Sequence, residues 1–299
     1  MHHRLRFFLG LAAIGGMVLC TNAQASAAPA ATTSRYVQTL SYNTLYNEGC
    51  SMGRAGLSGV VVLDFGQPWD QNGVHGVYTL GGFWASPSQV EADAEAYLDG
   101  FWNCSGSTPF LHLSIGQSNY GSQVNYAEGQ TWGTVVNTVN SYISTKGYGS
   151  QEAARGGFDS EPGWSAFSTA SNQVDGYANT TSTYYYDFGS ADGCPPYGNC
   201  SNNWGPNGLW YIAWGSKPAF TLPEIYYQAN ATQWQTDSLY SAQNKPNGKN
   251  QILGTMTEYA ADSSTFTPAG GFNALQNALN ANSATAWNMT YSTDITWAQ

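Results

Sequence analysis

From about Tyr42 onward, short runs of apolar residues alternate with longer segments whose apolar positions recur at helical spacing, the order expected of an α/β fold. Residues 59–64 (Gly-Val-Val-Val-Leu-Asp) and 109–116 (Pro-Phe-Leu-His-Leu-Ser-Ile-Gly) read as parallel strands covered on both faces. Between them, Ser86 as cap and Pro87 in the first turn open a helix rich in Ala and Glu that runs to about Trp102. A second helix, at about 126–145, carries Trp132, Val135, Val136, Val139, Tyr142 and Ile143 as one stripe of plain core.

Further strands are predicted at 157–161, 183–188, 209–214, 224–227 and 252–258, with one more around 81–84; further helices are predicted at 231–241 and, capped by Thr267, at 268–279. About eight strands in roughly 250 residues is the size of a single (β/α)8 barrel of the TIM type. The competing fold is an open doubly wound sheet, but no glycine-rich dinucleotide turn follows the first strand. The expected organisation is a secretory signal at 1–27, a polar leader at 28–45 and one barrel domain at 46–299.

The signal reading rests on Arg4 and Arg6, the apolar run from Phe7 to Leu19, and the small residues Ala25-Ser26-Ala27. A lipoprotein reading through Cys20 is less suited, because bulky Leu19 precedes it. The run is too short to span a bilayer permanently, so a secreted, extracellular protein is expected, with no membrane association after cleavage. Cleavage removes two of nine basic residues and none of nineteen acidic ones, leaving seven against nineteen. That balance argues against nucleic acid and anionic membranes as partners. A monomer is expected.

Four cysteines remain, Cys50, Cys104, Cys194 and Cys200, an even number in an oxidising compartment. Cys194 and Cys200 flank a tight loop and are expected to pair locally, leaving Cys50 with Cys104. His75 and His112 are the histidines of the mature chain, and no Cys or His spacing matches a zinc ligand set; no cofactor is expected. A calcium site built from loop carboxylates stays open.

The most informative stretch is Gly157-Phe158-Asp159-Ser160-Glu161-Pro162-Gly163-Trp164. Residues two apart on a strand face the same side, so Asp159 and Glu161 project together before Pro162 stops the ladder. Adjacent carboxyl groups beside an apolar wall tend to hold a proton at neutral pH, which suits acid catalysis on a sugar. Barrel active sites collect at the carboxyl ends of strands, here Asp64, Gln117, Asp159 with Glu161, Asp187, Trp214, Glu224 and Glu258. Gln117, Glu224 and the flat rings of Trp164 and Trp214 are expected to bind substrate. A polar turn and buried tryptophans are the bland alternatives. Gly49-Cys50-Ser51-Met52-Gly53 also fits the Gly-x-Ser-x-Gly nucleophile pattern, yet a polar segment precedes it where a strand is required.

Leu113-Ser114-Ile115-Gly116 resembles the Ser-x-Gly-Gly strand end of chitinase-like (family 18) glycoside hydrolases, and Gly157-Phe158-Asp159-Ser160-Glu161 resembles the end of their acidic signature. Tyr185-Tyr186-Asp187 is similar to their Met-x-Tyr-Asp strand. Gln117 replaces the second glycine, and the earlier aspartates of the signature are absent. The resemblance implies Glu161 as the acid, Asp159 orienting an acetamido nucleophile, and Tyr186 steadying it, with Asp187 in the same strand. Lysozyme-like (family 25) muramidases are a second resemblance, joining an Asp on the first barrel strand, here Asp64, to an Asp-x-Glu on a later one, here Asp159 and Glu161. Gly189–Pro196 and Ser292–Trp297 resemble secreted actinobacterial proteins and imply no activity. Together these imply hydrolysis of a hexosamine-containing polysaccharide, chitin-like or peptidoglycan, with Glu258 a further catalytic carboxylate. The alternative is a glycan-binding barrel without catalysis.

Overall fold

The computed structural model describes residues 27–194 and 200–297; all but the last residue of the signal reading at 1–27 and the loop between the last two cysteines lie outside the described residues. In chain order the elements are β1 (Thr32–Tyr36), α1 (Tyr42–Ala55), β2 (Gly59–Asp64), β3 (Gln67–Gln71), β4 (Val74–Tyr78), β5 (Trp84–Ala85) and α2 (Pro87–Cys104). They continue with β6 (Leu111–Ser118), α3 (Tyr126–Lys146), β7 (Glu152–Asp159), α4 (Phe167–Thr180), β8 (Tyr185–Asp187), α5 (Pro206–Trp210) and β9 (Ala219–Thr221). The last are α6 (Gln228–Asn244), β10 (Gly254–Thr257), α7 (Pro268–Asn280) and β11 (Tyr291–Trp297).

Eight strands pair in parallel in the order β10-β11-β1-β2-β6-β7-β8-β9. Parallel bridges Thr221↔Ile252 and Glu224↔Met256 join the two ends of that series, so the sheet closes on itself as a (β/α)8 barrel. Val60, Val62, Tyr186, Phe188, Leu222, Met256 and Ile295 fill its inside, while a larger apolar layer lies between strands and helices. Gly157 is required on the inside: a Cβ there would stand 2.4 Å from Ser114 Oγ. No helix among the described residues is long and apolar enough to cross a membrane.

The ring differs from the sequence reading at several places. β11 falls where no strand is predicted, and in place of a strand at 224–227 the chain has β9 at Ala219–Thr221 and a single bridge at Glu224, because the chain turns there into α6. Part of the polar leader is β1, which pairs with both β2 and β11. Its polarity is internal bonding: Ser34 Oγ lies 2.6 Å from Thr293 Oγ1 and accepts from Val62 N at 2.8 Å. The predicted strand at 209–214 is instead α5 followed by a π-helical turn over Tyr211–Gly215, opened by Pro206 at the first position. The strand around 81–84 is not a stave of the barrel; β5 belongs to a small antiparallel sheet with β3 and β4, an excursion after β2.

Ser51 lies within α1 and its Oγ donates to Asn47 O at 2.9 Å, so the Gly-x-Ser-x-Gly stretch has no strand before it. Its glycines serve close packing: a Cβ on Gly49 would reach 1.9 Å from Tyr97 O, and one on Gly53 2.6 Å from Phe101 O. Cys50 bonds Cys104 across the same α1–α2 contact, and Cys194 bonds Cys200. Both pairings are those expected from the sequence.

Candidate active site

The carboxyl ends of the strands open into a cavity of about 580 Å³. Five carboxylates line it: Asp64 ends β2, Asp159 ends β7, Glu161 follows two residues later, Glu224 lies between β9 and α6, and Glu258 follows β10. Oxygens of Asp159, Glu161 and Glu224 lie within 4.8 Å of one another. An all-oxygen set of this kind could hold a hard cation such as calcium or magnesium, and lacks the nitrogen and sulfur donors that favour zinc.

Each carboxylate is held differently. Asp64 Oδ1 accepts from Gly66 N at 3.0 Å. Tyr226 donates to Glu224 Oε1 at 2.7 Å, and Tyr36 donates to Glu258 Oε1 at 3.0 Å. Glu161 interacts with Ser190 and with Glu224, a carboxylate oxygen of Glu224 lying within 4.8 Å of one of its own. Asp159 Oδ1 is buried without a hydrogen-bond partner.

Burial pushes every one of these groups up. Asp64 rises to about 6. Asp159 and Glu224 rise well above the usual carboxylate range, first through desolvation and then through their acidic neighbours. Glu161 and Glu258 rise for the same first reason, offset in part by hydrogen bonds from Ser190 and Tyr36 respectively. Crowded carboxyl groups in low dielectric cannot all ionise, so the cluster retains protons at neutral pH.

Asn119, fully buried just beyond β6, fixes the Glu161 backbone from both sides. Its Oδ1 accepts from Glu161 N and its Nδ2 donates to Glu161 O, each at 3.0 Å. The same Nδ2 reaches Ser165 Oγ at 3.0 Å, and Trp164 N donates to Glu161 O at 3.2 Å, so acid and indole are set by one turn. Asn119→Ala should leave the fold intact but cost about 1–3 kcal/mol locally, because buried backbone groups lose their partner. Turnover should fall at near-unchanged KM; an unaltered kcat would show that Asn119 does not position Glu161.

The walls are aromatic. Trp164, 36% exposed, meets Tyr120 edge-on with centroids 5.9 Å apart. The β3–β5 excursion brings Tyr78 and Leu80 to the rim, with Tyr78 beside Trp69 at 5.6 Å. His75 on β4, 3.4 Å from Asp70 and 3.6 Å from Glu128 of α3, anchors that excursion to the helical layer.

Of the residues singled out in the sequence, Asp64, Asp159, Glu161, Trp164, Glu224 and Glu258 therefore meet in one cavity. Four do not line it. Tyr186 is fully buried in the barrel's inner packing, its hydroxyl 3.5 Å from that of Tyr184. Asp187 lies one position out of phase with Tyr186 and Phe188, and its buried carboxylate faces the helical layer near Asp237. Gln117, between Gly116 and the cavity-lining Ser118, points outward likewise and is fully buried. Trp214 packs on Phe220 at 5.6 Å from the π-helical turn. Tyr36, Tyr226 and Asn119 were missed; the phrase Glu224-Ile225-Tyr226, with its two-residue spacing, was the available signal for Tyr226.

No family model matches the chain, and no curated protein matches it. Among solved structures it is similar to the endo-1,4-beta-mannanase from Rhizomucor miehei, at 11% identity and a TM-score of 0.42, over 91% of this chain and 86% of that one. It is also similar to GH26C from Muricauda sp. MAR_2010_75, at 13% identity and a TM-score of 0.38, over 86% of this chain and 63% of that one. Likeness of this degree assigns no role to any residue.

Proposed function

We propose that this protein is a secreted glycoside hydrolase that cleaves a hexosamine-containing polysaccharide with its own carboxylates. The supporting observation is the Glu161–Glu224 pair, with carboxylate oxygens within 4.8 Å of each other and Tyr226 donating to Glu224. Burial and the charge of Glu161 raise Glu224 the more strongly of the two, and the Tyr226 hydrogen bond opposes that rise; the catalytic form proposed here has Glu161 protonated and Glu224 ionised. Glu161 then protonates the glycosidic oxygen as the C1–O bond breaks, while the Glu224 carboxylate attacks C1 from the other face. In the second step Glu161 takes a proton from water, the water oxygen displaces Glu224 from C1, and both side chains return to their starting state. Asp159 and Asp64 stabilise the positive charge that develops on the sugar ring.

Substrate-assisted catalysis through an acetamido group finds less support, because Tyr186 is packed in the barrel below the cavity. A non-catalytic glycan-binding barrel would account for the aromatic rim but not for three buried or half-buried carboxylates gathered within 4.8 Å beneath it. Carboxyl groups about 5 Å apart belong to retaining enzymes, whereas inverting ones leave roughly 6.5–9.5 Å for water. Hydrolysis followed by NMR should therefore give products that first appear with the anomeric configuration of the substrate. Inverted products would remove Glu224 as nucleophile, and absence of any product from hexosamine oligomers and peptidoglycan would count against the hydrolase itself.

A further inference from the structure

The cavity carries more carboxyl groups than proton transfer and nucleophilic attack use. Among the described residues, none of those lining it is Lys, Arg or His, while five are Asp or Glu. Hydrolysis by an acid and a nucleophile needs two. Asp159 is 6% exposed, its Oδ1 has no partner, and it faces the same space as Glu161 and Glu224. A buried acceptor without a donor costs about 1–3 kcal/mol, which a ligand's N–H group would recover.

Resting on the hydrolase reading, we propose that the polysaccharide's amino groups are free and protonated, so that the substrate is a polycation. An ammonium offers three donors, enough to meet Asp159 while also facing a neighbouring carboxylate. Tyr78, Tyr120 and Trp164 at the rim supply ring faces that attract cations as well as sugar planes. An N-acetyl group would bring one donor and a methyl, and Leu80 is the one aliphatic side chain of the lining. A uronic acid would meet five carboxyl groups with no cation to receive it. The acidic balance of the whole chain draws a cationic polymer in the same direction.

Glucosamine hexamer, its fully N-acetylated form and a neutral mannose hexamer can be compared by calorimetry on Glu161→Gln, at mildly acidic pH and with chelator present. The free-amine oligomer should bind about tenfold tighter or more than either other one, and the gap should narrow as salt is raised. Asp159→Asn should erase most of the preference for the free-amine oligomer. If that variant does not fold, the salt dependence of the three oligomers on Glu161→Gln decides. Equal or tighter binding of the N-acetylated or neutral oligomer overturns the inference, as does calcium binding to the cluster without any preference among oligomers. Hydrolysis by the unaltered protein reads the other question: tight binding of the free-amine oligomer with no product would sink the hydrolase and leave amine recognition standing. Cleavage of the N-acetylated form in preference would do the reverse.

Discussion

Glu161→Gln is expected to lower glycan hydrolysis by about 10² to 10⁴ fold while folding and glycan affinity persist. The amide keeps the size of the carboxyl and can still hydrogen-bond Ser190 and Glu224, so what is removed is the transferable proton. Kinetics on purified protein, alongside a melting curve, distinguish this from a structural role. A structural carboxylate would show the opposite pattern, with lowered stability and unchanged activity per folded molecule. Asp192→Asn sharpens the test. Asp192 is the acidic neighbour whose charge raises Glu161, so this change should move the alkaline limb of the pH profile, where the acid loses its proton, to lower pH.

The second large effect is on stability, and it comes from carboxylates outside the cavity. Burial raises Asp93 and Asp237 to about 7 and Glu152 to about 9, and all three side chains are nearly inaccessible. Unfolded, each would release its proton near pH 4. Between those limits the folded state binds protons that the unfolded state has lost, so stability falls as pH rises. The contribution is complete below about pH 4 and is lost as pH passes through 7 to 9. A tenfold change in proton affinity between the two states corresponds to about 1.4 kcal/mol, and each kcal/mol to roughly 2–4 °C in a domain near this size. Thermal melts should therefore show Tm dropping by about 10 °C or more from pH 5 to pH 9. A flat or rising Tm would mean that these groups are ionised and paired in the folded protein.

The parts of this molecule legible in its sequence are those where one local rule dominates. β2 and β6 are covered on both faces and so appear as unbroken apolar runs. Asp159 and Glu161 were found through the two-residue repeat of a strand, and Trp164 through its place in the same turn. β1 and β11 were hidden because hydroxyls such as Ser34 and Thr293 satisfy one another inside the barrel, and a polar strand looks like a loop until its partner is known. Phase explains the displaced residues. Gln117 and Asp187 stand at strand ends as expected, but a strand's alternation does not say which set faces the axis, and a shift of one residue sends a side chain into the helical layer. Tyr36 and Tyr226 required register: Tyr36 enters the site because it stands opposite Asp64 across β1 and β2, a pairing between distant segments.

The position of β1 also bears on how the molecule is made. Its neighbours are β2, which follows closely, and β11, the last strand among the described residues, with Thr32 opposite Thr293. A chain emerging from its N-terminus holds one side of β1 unpaired until Thr293 and its neighbours have been synthesised. Pairing over so long a separation is slow, and an open strand edge invites association with other chains in the meantime. The hydroxyl-rich face of β1 limits that hazard, because a strand of Thr, Ser and Arg gains little from the wrong partner. The polarity that disguises this strand thus also lets it wait.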